Sequence, residues 1–91
     1  MKKQVHIFIS GVVQGVGFRQ FVKYHAKRLG VTGWVQNIAD GRVEGLLSGE
    51  EEPLRRLIGL CKKGPPLSRV NHVELQWQKQ IDLFDSFHVI K

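Results

Sequence analysis

Apolar residues recur at two different spacings along the chain, and each change of spacing marks an element. Val5, Ile7 and Ile9 alternate with Gln4, His6 and Phe8, the period of a strand with one strongly apolar face. A stretch punctuated by Gly11, Gly15 and Gly17 follows, and then the period lengthens. Phe18, Phe21, Val22, His25, Ala26 and Leu29 fall on one helical face, with Arg19, Lys23, Lys27 and Arg28 mostly turned away. Gly30 suits a left-handed helix stop. Thr32 to Ala39 reads as extended, and Asp40-Gly41 marks a hairpin turn. A two-residue turn there sets Ile38 opposite Val43 and Trp34 opposite Leu47. Val43 to Ser48 is the return strand, closed by Gly49. Glu50-Glu51-Glu52-Pro53 then puts acidic residues and a proline where a helix start favours them. Leu54, Leu57, Ile58 and Cys61 form the buried stripe of that second helix, which ends at Lys62-Lys63-Gly64 before the break at Pro65-Pro66. Val70 to Gln78 reads as a fourth strand and Ser86 to Ile90 as a short fifth.

The order is βαββαβ with short connections. It predicts an α+β fold: a ferredoxin-like sandwich whose two helices cover one face of a mainly antiparallel sheet. No repeat, linker or low-complexity tract interrupts it, so residues 1–91 are expected to form a single domain with a modest core. Trp34, Phe8 and Phe21 are expected in that core, and Trp77 partly outside it.

Composition narrows the picture only slightly. The content of 42% hydrophobic and 24% charged residues is that of an ordinary globular chain. A formal net charge of +6 points to anionic partners, whether nucleic acid, acidic lipid or a phosphorylated small molecule, and does not choose among them. The one cysteine, Cys61, rules out an internal disulfide and fits a reducing compartment. Its place on the second helix's stripe reads as core packing, not nucleophilic catalysis. No run approaches the roughly 18 apolar residues that span a bilayer, and the N-terminal run lacks a cleavage-like site. A cytoplasmic protein with no membrane association is therefore expected. The four histidines are scattered over different elements with no cysteine or carboxylate at ligand spacing, so no metal site is expected.

The segment that carries chemistry runs from Gly11 to Arg19, between the first strand and the first helix. Its glycines let the backbone turn tightly and bring several N–H groups toward one point. The start of the following helix adds free donors and the positive end of its dipole. Arg19, in the first turn, can grip two oxygens of an anion held there. Generic phosphate motifs do not fit: Gly15 is followed by Val16-Gly17 rather than Lys-Ser/Thr, and position 20 is Gln20 rather than glycine or alanine. On pattern alone, the glycines can equally form a mere connection, Arg19 a solvated helix residue and Asn37 simple turn chemistry.

Gly11-Val12-Val13-Gln14-Gly15-Val16-Gly17-Phe18-Arg19 closely resembles the signature of acylphosphatases. So does Gly33-Trp34-Val35-Gln36-Asn37, continuing through Asp40-Gly41-Arg42-Val43-Glu44 to Gly49, with looser echoes at Gly64-Pro65-Pro66, Val70, Val73 and Phe87-His88-Val89-Ile90. The resemblance spans nearly the full chain. It implies a ferredoxin-like fold and hydrolysis of small acyl phosphates without metal or cofactor. It also implies that Arg19 holds the substrate phosphate and that Asn37 orients the attacking water. The backbone amides of Gln14, Gly15, Val16, Gly17, Phe18 and Arg19 would form the phosphate cradle. Inorganic phosphate is then product and competitive inhibitor, and a monomer is expected.

Two rivals share parts of this pattern. RNA-recognition modules have the same element order and are often basic, but their aromatic motif lies on the third strand, and Arg42 to Ser48 holds no aromatic residue. Nucleic acid is not the expected partner. Acylphosphatase-like domains also begin larger proteins that handle carbamoyl phosphate in hydrogenase maturation. This chain shows no such extension, so a free-standing enzyme is expected, with carbamoyl phosphate as one conceivable substrate.

Overall fold

The opening alternation becomes a long strand, β1 (Lys2–Val12), and every inward residue it promises is inside: Val5, Ile7 and Ile9 are each at most 2% exposed. In the computed structural model, which describes residues 2–79 and 84–90, the remaining elements are α1 (Phe18–Leu29), β2 (Thr32–Asn37), β3 (Val43–Glu50), α2 (Glu51–Lys63), β4 (Arg69–Lys79) and β5 (Phe87–Ile90). They make one five-stranded sheet in the order β4-β1-β3-β2-β5. All neighbours are antiparallel except β2 and β5, which run parallel. This is the expected α+β, ferredoxin-like sandwich.

Both helices bury the faces that their spacing predicts. Phe18, Val22 and Ala26 of α1 and Leu54, Leu57, Ile58 and Cys61 of α2 join Val5, Ile7, Ile9, Val35, Val43 and Leu47 from the sheet in one apolar cluster. Phe21 packs against that cluster while remaining partly exposed. Gly30 ends α1 in the left-handed conformation. Pro53 lies within the first turn of α2, where its missing N–H costs no hydrogen bond.

The β2–β3 turn differs from expectation by one residue. The Ile38 N–H donates to the Arg42 carbonyl (3.0 Å) and the Gly41 N–H to the Ile38 carbonyl (3.1 Å), so residues 39–41 form a three-residue loop. Gly41 takes a positive φ of 96° to close it, as such loops require. The register follows: Trp34 pairs with Leu46, not Leu47, and Val43 opposes Asn37, not Ile38. One residue of slip moves a side chain to the other face of a sheet. Trp34, expected in the core, thus lies half-buried on the face away from the helices; Phe8, also expected in the core, shares that face because it alternates with the buried Ile7 and Ile9. There the His6 ring is 4.6 Å from Phe8 and 6.3 Å from Trp34. Trp77 is partly exposed, as expected.

The same face carries a polar cluster centred on Glu44. Its carboxylate accepts a hydrogen bond from Gln36 Nε2 (2.7 Å) and lies 2.6 Å from His6 Nε2. Burial, the largest influence, pushes the carboxyl up. The hydrogen bonds from Gln36 and His6, with the charges of His6 and Arg42, outweigh it and leave Glu44 below the ordinary glutamate value. An acid whose folded value is depressed binds fewer protons folded than unfolded. Its contribution is present above the unfolded value and is lost as pH falls toward the folded one. The urea midpoint of the parent chain should therefore fall on acidification below about pH 4.5, and Glu44→Gln should show a shallower fall over that range. Equal slopes would mean that Glu44 is not part of the acid response.

Candidate functional site

The connection from β1 to α1 is pinned at both ends and bent between them. Val13 and Phe18 are buried in the core, 1% and 2% exposed, so the residues between them must arch over the sheet end. Gly15 and Gly17 take φ values of 75° and 79°. A Cβ at either would meet nothing within 4 Å. The demand is therefore conformational, a left-handed backbone that only glycine adopts without strain.

Gly17 also caps α1 and supplies no side-chain oxygen. The first helical bond runs from the Phe21 N–H to the Gly17 carbonyl (3.0 Å), so the donors of the preceding turn have no partner within the helix. Arg19 stands in that turn. Its Nη1 donates to the carbonyl of Ile90 in β5 (3.1 Å), which holds the guanidinium at this end of the sheet. Ile90 pairs with Gln36, the residue before Asn37. The strand order therefore brings Arg19's tether beside the last residue of β2.

Gly15 and Gly17 from the loop, Arg19 and Gln20 from α1, and Asn37 from β2 line one cavity of about 100 Å³, with Val13 and Phe18 as its apolar floor. That is well below the about 300–1,000 Å³ of pockets that take drug-sized ligands, and suits a single small anion. Arg19 is the one charged side chain among the lining residues. Asn37 Oδ1 is buried and finds no hydrogen-bond partner among the described residues, the one such side-chain atom there. A buried acceptor left unpaired costs about 1–3 kcal/mol, so this orphan in a cavity-lining residue calls for an explanation.

Of the residues singled out by sequence, the structure brings Arg19, Asn37, Gly15, Gly17 and Phe18 to the cavity. Val16 packs against the core with part of its surface exposed. Gln14 holds a position that sequence reasoning missed, because only its backbone was in view. Its side-chain Nε2 donates to the carbonyls of Ile38 (2.8 Å) and Arg42 (3.0 Å) across the hairpin. Nothing in the local sequence announces a contact 24 residues away. Other candidate chemistry stays apart from the cavity. None of the histidines lines it, and His25 lies edge-on to the rings of Phe21 and Tyr24. No group of three or more histidine, cysteine or acidic side chains capable of holding a metal occurs among the described residues. No helix there is long and apolar enough to cross a membrane.

Comparison with known proteins shows the family. A family model described as acylphosphatase matches residues 5–89. The acylphosphatase of Thermococcus kodakarensis is 45% identical over 87 residues, covering 96% of this chain and 94% of its own. The crystal structure of acylphosphatase from Bacillus subtilis is similar with a TM-score of 0.95 and 36% identity, over 100% of both chains. A structure of full-length HypF in a phosphate- and nucleotide-bound form matches 100% of this chain with only 12% of its own, at a TM-score of 0.88 and 26% identity. The chain belongs to the acylphosphatase family, a family of acyl-phosphate phosphohydrolases.

Cys61 takes no part in the site. Burial pushes its thiol up to about 12, so the thiolate is scarce at neutral pH. A thiol-alkylating reagent at about pH 8 should leave the native protein unlabelled and label it fully after unfolding. Rapid labelling of the native protein would show the α2 stripe to be open to solvent.

Proposed function

We propose that the chain hydrolyses the carboxyl–phosphate bond of small acyl phosphates, giving a carboxylate and inorganic phosphate. Arg19 and the backbone amides of Gln14, Gly15, Val16, Gly17, Phe18 and Arg19 hold the phosphate. Asn37 holds a water in line with phosphorus. The observation that carries this reading is the meeting of Arg19 and Asn37 at one small cavity.

The chemistry needs few parts. A water oxygen forms a bond to phosphorus as the bond from phosphorus to the acyl oxygen breaks. The carboxylate leaves with that electron pair, and the water's proton passes to solvent or to the phosphate. Charge in the transition state is spread over the equatorial phosphoryl oxygens, where a guanidinium and fixed amide dipoles stabilise it. The leaving carboxylate is stable at neutral pH, so no strong general acid is required. Asn37 cannot act as a base, but its side-chain amide can hold the water by hydrogen bonding. Fixing the water converts a random encounter into a near-attack geometry. Inorganic phosphate, as product, occupies the same cradle and competes with substrate.

The two side chains should fail differently. Arg19→Ala should abolish both benzoyl phosphate turnover and the binding of inorganic phosphate, the latter read by calorimetry. Asn37→Ala should keep the fold and the phosphate inhibition constant while kcat falls by about a hundredfold or more, the scale on which one transition-state contact acts. Normal phosphate affinity in Arg19→Ala would remove Arg19 from the site. Full activity in Asn37→Ala would mean that the water is placed by another group.

A further inference from the structure

The Gln14 side chain reaches the β2–β3 hairpin. Its single amide nitrogen donates both protons, one to the Ile38 carbonyl and one to the Arg42 carbonyl. These two carbonyls form the neck of the hairpin. The Ile38 oxygen already accepts from the Gly41 N–H and the Arg42 oxygen from the Ile38 N–H, so Gln14 takes their second lone pairs. The neck residue Ile38 directly follows Asn37, and Gln14 directly precedes the cavity residue Gly15. A two-bond brace thus spans the gap between loop and hairpin, one residue from the cavity on each side. The loop itself is anchored by the buried Val13.

We propose that Gln14 is a positioning residue: its side-chain amide fixes the hairpin neck to the cradle loop and so sets where Asn37 stands relative to the bound phosphate. The proposal rests on the role given to Asn37 under Proposed function. Asn37 lies at the last position of β2, where the ladder to β3 gives way to the loop. Among the described residues its strand partner is Val43 of β3, and the brace adds a restraint toward the cradle. A misplacement of about 1 Å can cost about a hundredfold in rate. Losing the brace should therefore reduce kcat while leaving the phosphate grip of Arg19 and the amides in place.

The test compares Gln14→Met, which keeps the length and loses both donors, with Asn37→Ala and the double variant. The readouts are steady-state hydrolysis of benzoyl phosphate and inhibition by inorganic phosphate. Gln14→Met should lower kcat by about tenfold or more and keep the phosphate inhibition constant within about threefold. The double variant should be no slower than Asn37→Ala, because a brace has nothing left to position once Asn37 is truncated. An unchanged kcat in folded Gln14→Met, even with a lower melting temperature, would make the brace purely structural and overturn the proposal. Parallel losses of kcat and phosphate affinity would overturn it in favour of a role in shaping the cradle. Multiplying losses in the double variant would show that Gln14 acts independently of Asn37. A fully active Asn37→Ala would overturn the Asn37 reading itself, and that single variant separates this failure from failure of the brace alone. Should Gln14→Met not fold, Gln14→Asn, with the same amide one methylene short of the neck, makes the same comparison with the same outcomes.

Discussion

The site depends on a conflict between two demands on residues 13–18. Val13 and Phe18 must both be in the core, and the five-stranded sheet leaves only a short path between them. The chain meets both by arching through left-handed glycines at positions 15 and 17. That arch leads into a helix start whose first N–H groups have no partner within the helix. The positive end of α1 and the free N–H groups would be a liability in an apolar interior. Beside the small cavity they supply the fixed field that the proposed phosphate cradle uses.

Topology then brings two side chains to this point from distant parts of the chain. Arg19 rides on the same helix start and is held by the Ile90 carbonyl of β5. Asn37 ends β2, the strand between β3 and β5. Because β2 and β5 are neighbours, the carbonyl that restrains the arginine and the strand that carries the asparagine belong to one parallel ladder. The result separates two tasks. The charge and donors proposed to bind phosphate come from the loop and α1, and the group proposed to place water comes from the sheet. Neither task requires a titrating side chain, which suits a reaction whose leaving group needs no proton.

Much of the fold is legible in the sequence because burial obeys period. The stripe of Leu54, Leu57, Ile58 and Cys61 and the alternation of Val5, Ile7 and Ile9 each lie inside as their spacing requires. The β2–β3 register is not legible in the same way. Asp40-Gly41 suits a two-residue turn and also a three-residue loop that ends in a left-handed glycine. The second forms, and it carries Trp34 onto the open face. Buried polar groups give no signal either. Gln4 and Ser48 lie inside with the Ser48 hydroxyl donating to Gln4 Oε1 (3.2 Å) and Gln4 Nε2 donating to Gln78 (3.0 Å), contacts that only the sheet register creates. At the site, glycine spacing alone leaves a phosphate loop and a plain connection equally open, and it is the resemblance over two long blocks that singles out Arg19 and Asn37. Gln14's side-chain role stays hidden because it depends on where a distant hairpin neck falls.

The most direct test of water attack at phosphorus is hydrolysis of benzoyl phosphate in water enriched in oxygen-18, with mass analysis of both products. Attack by a water held against the phosphate should place one heavy oxygen in inorganic phosphate and none in benzoate. Label in benzoate would mean attack at the carbonyl carbon, and would contradict the assignment of Arg19, Asn37 and the amide cradle to phosphoryl transfer.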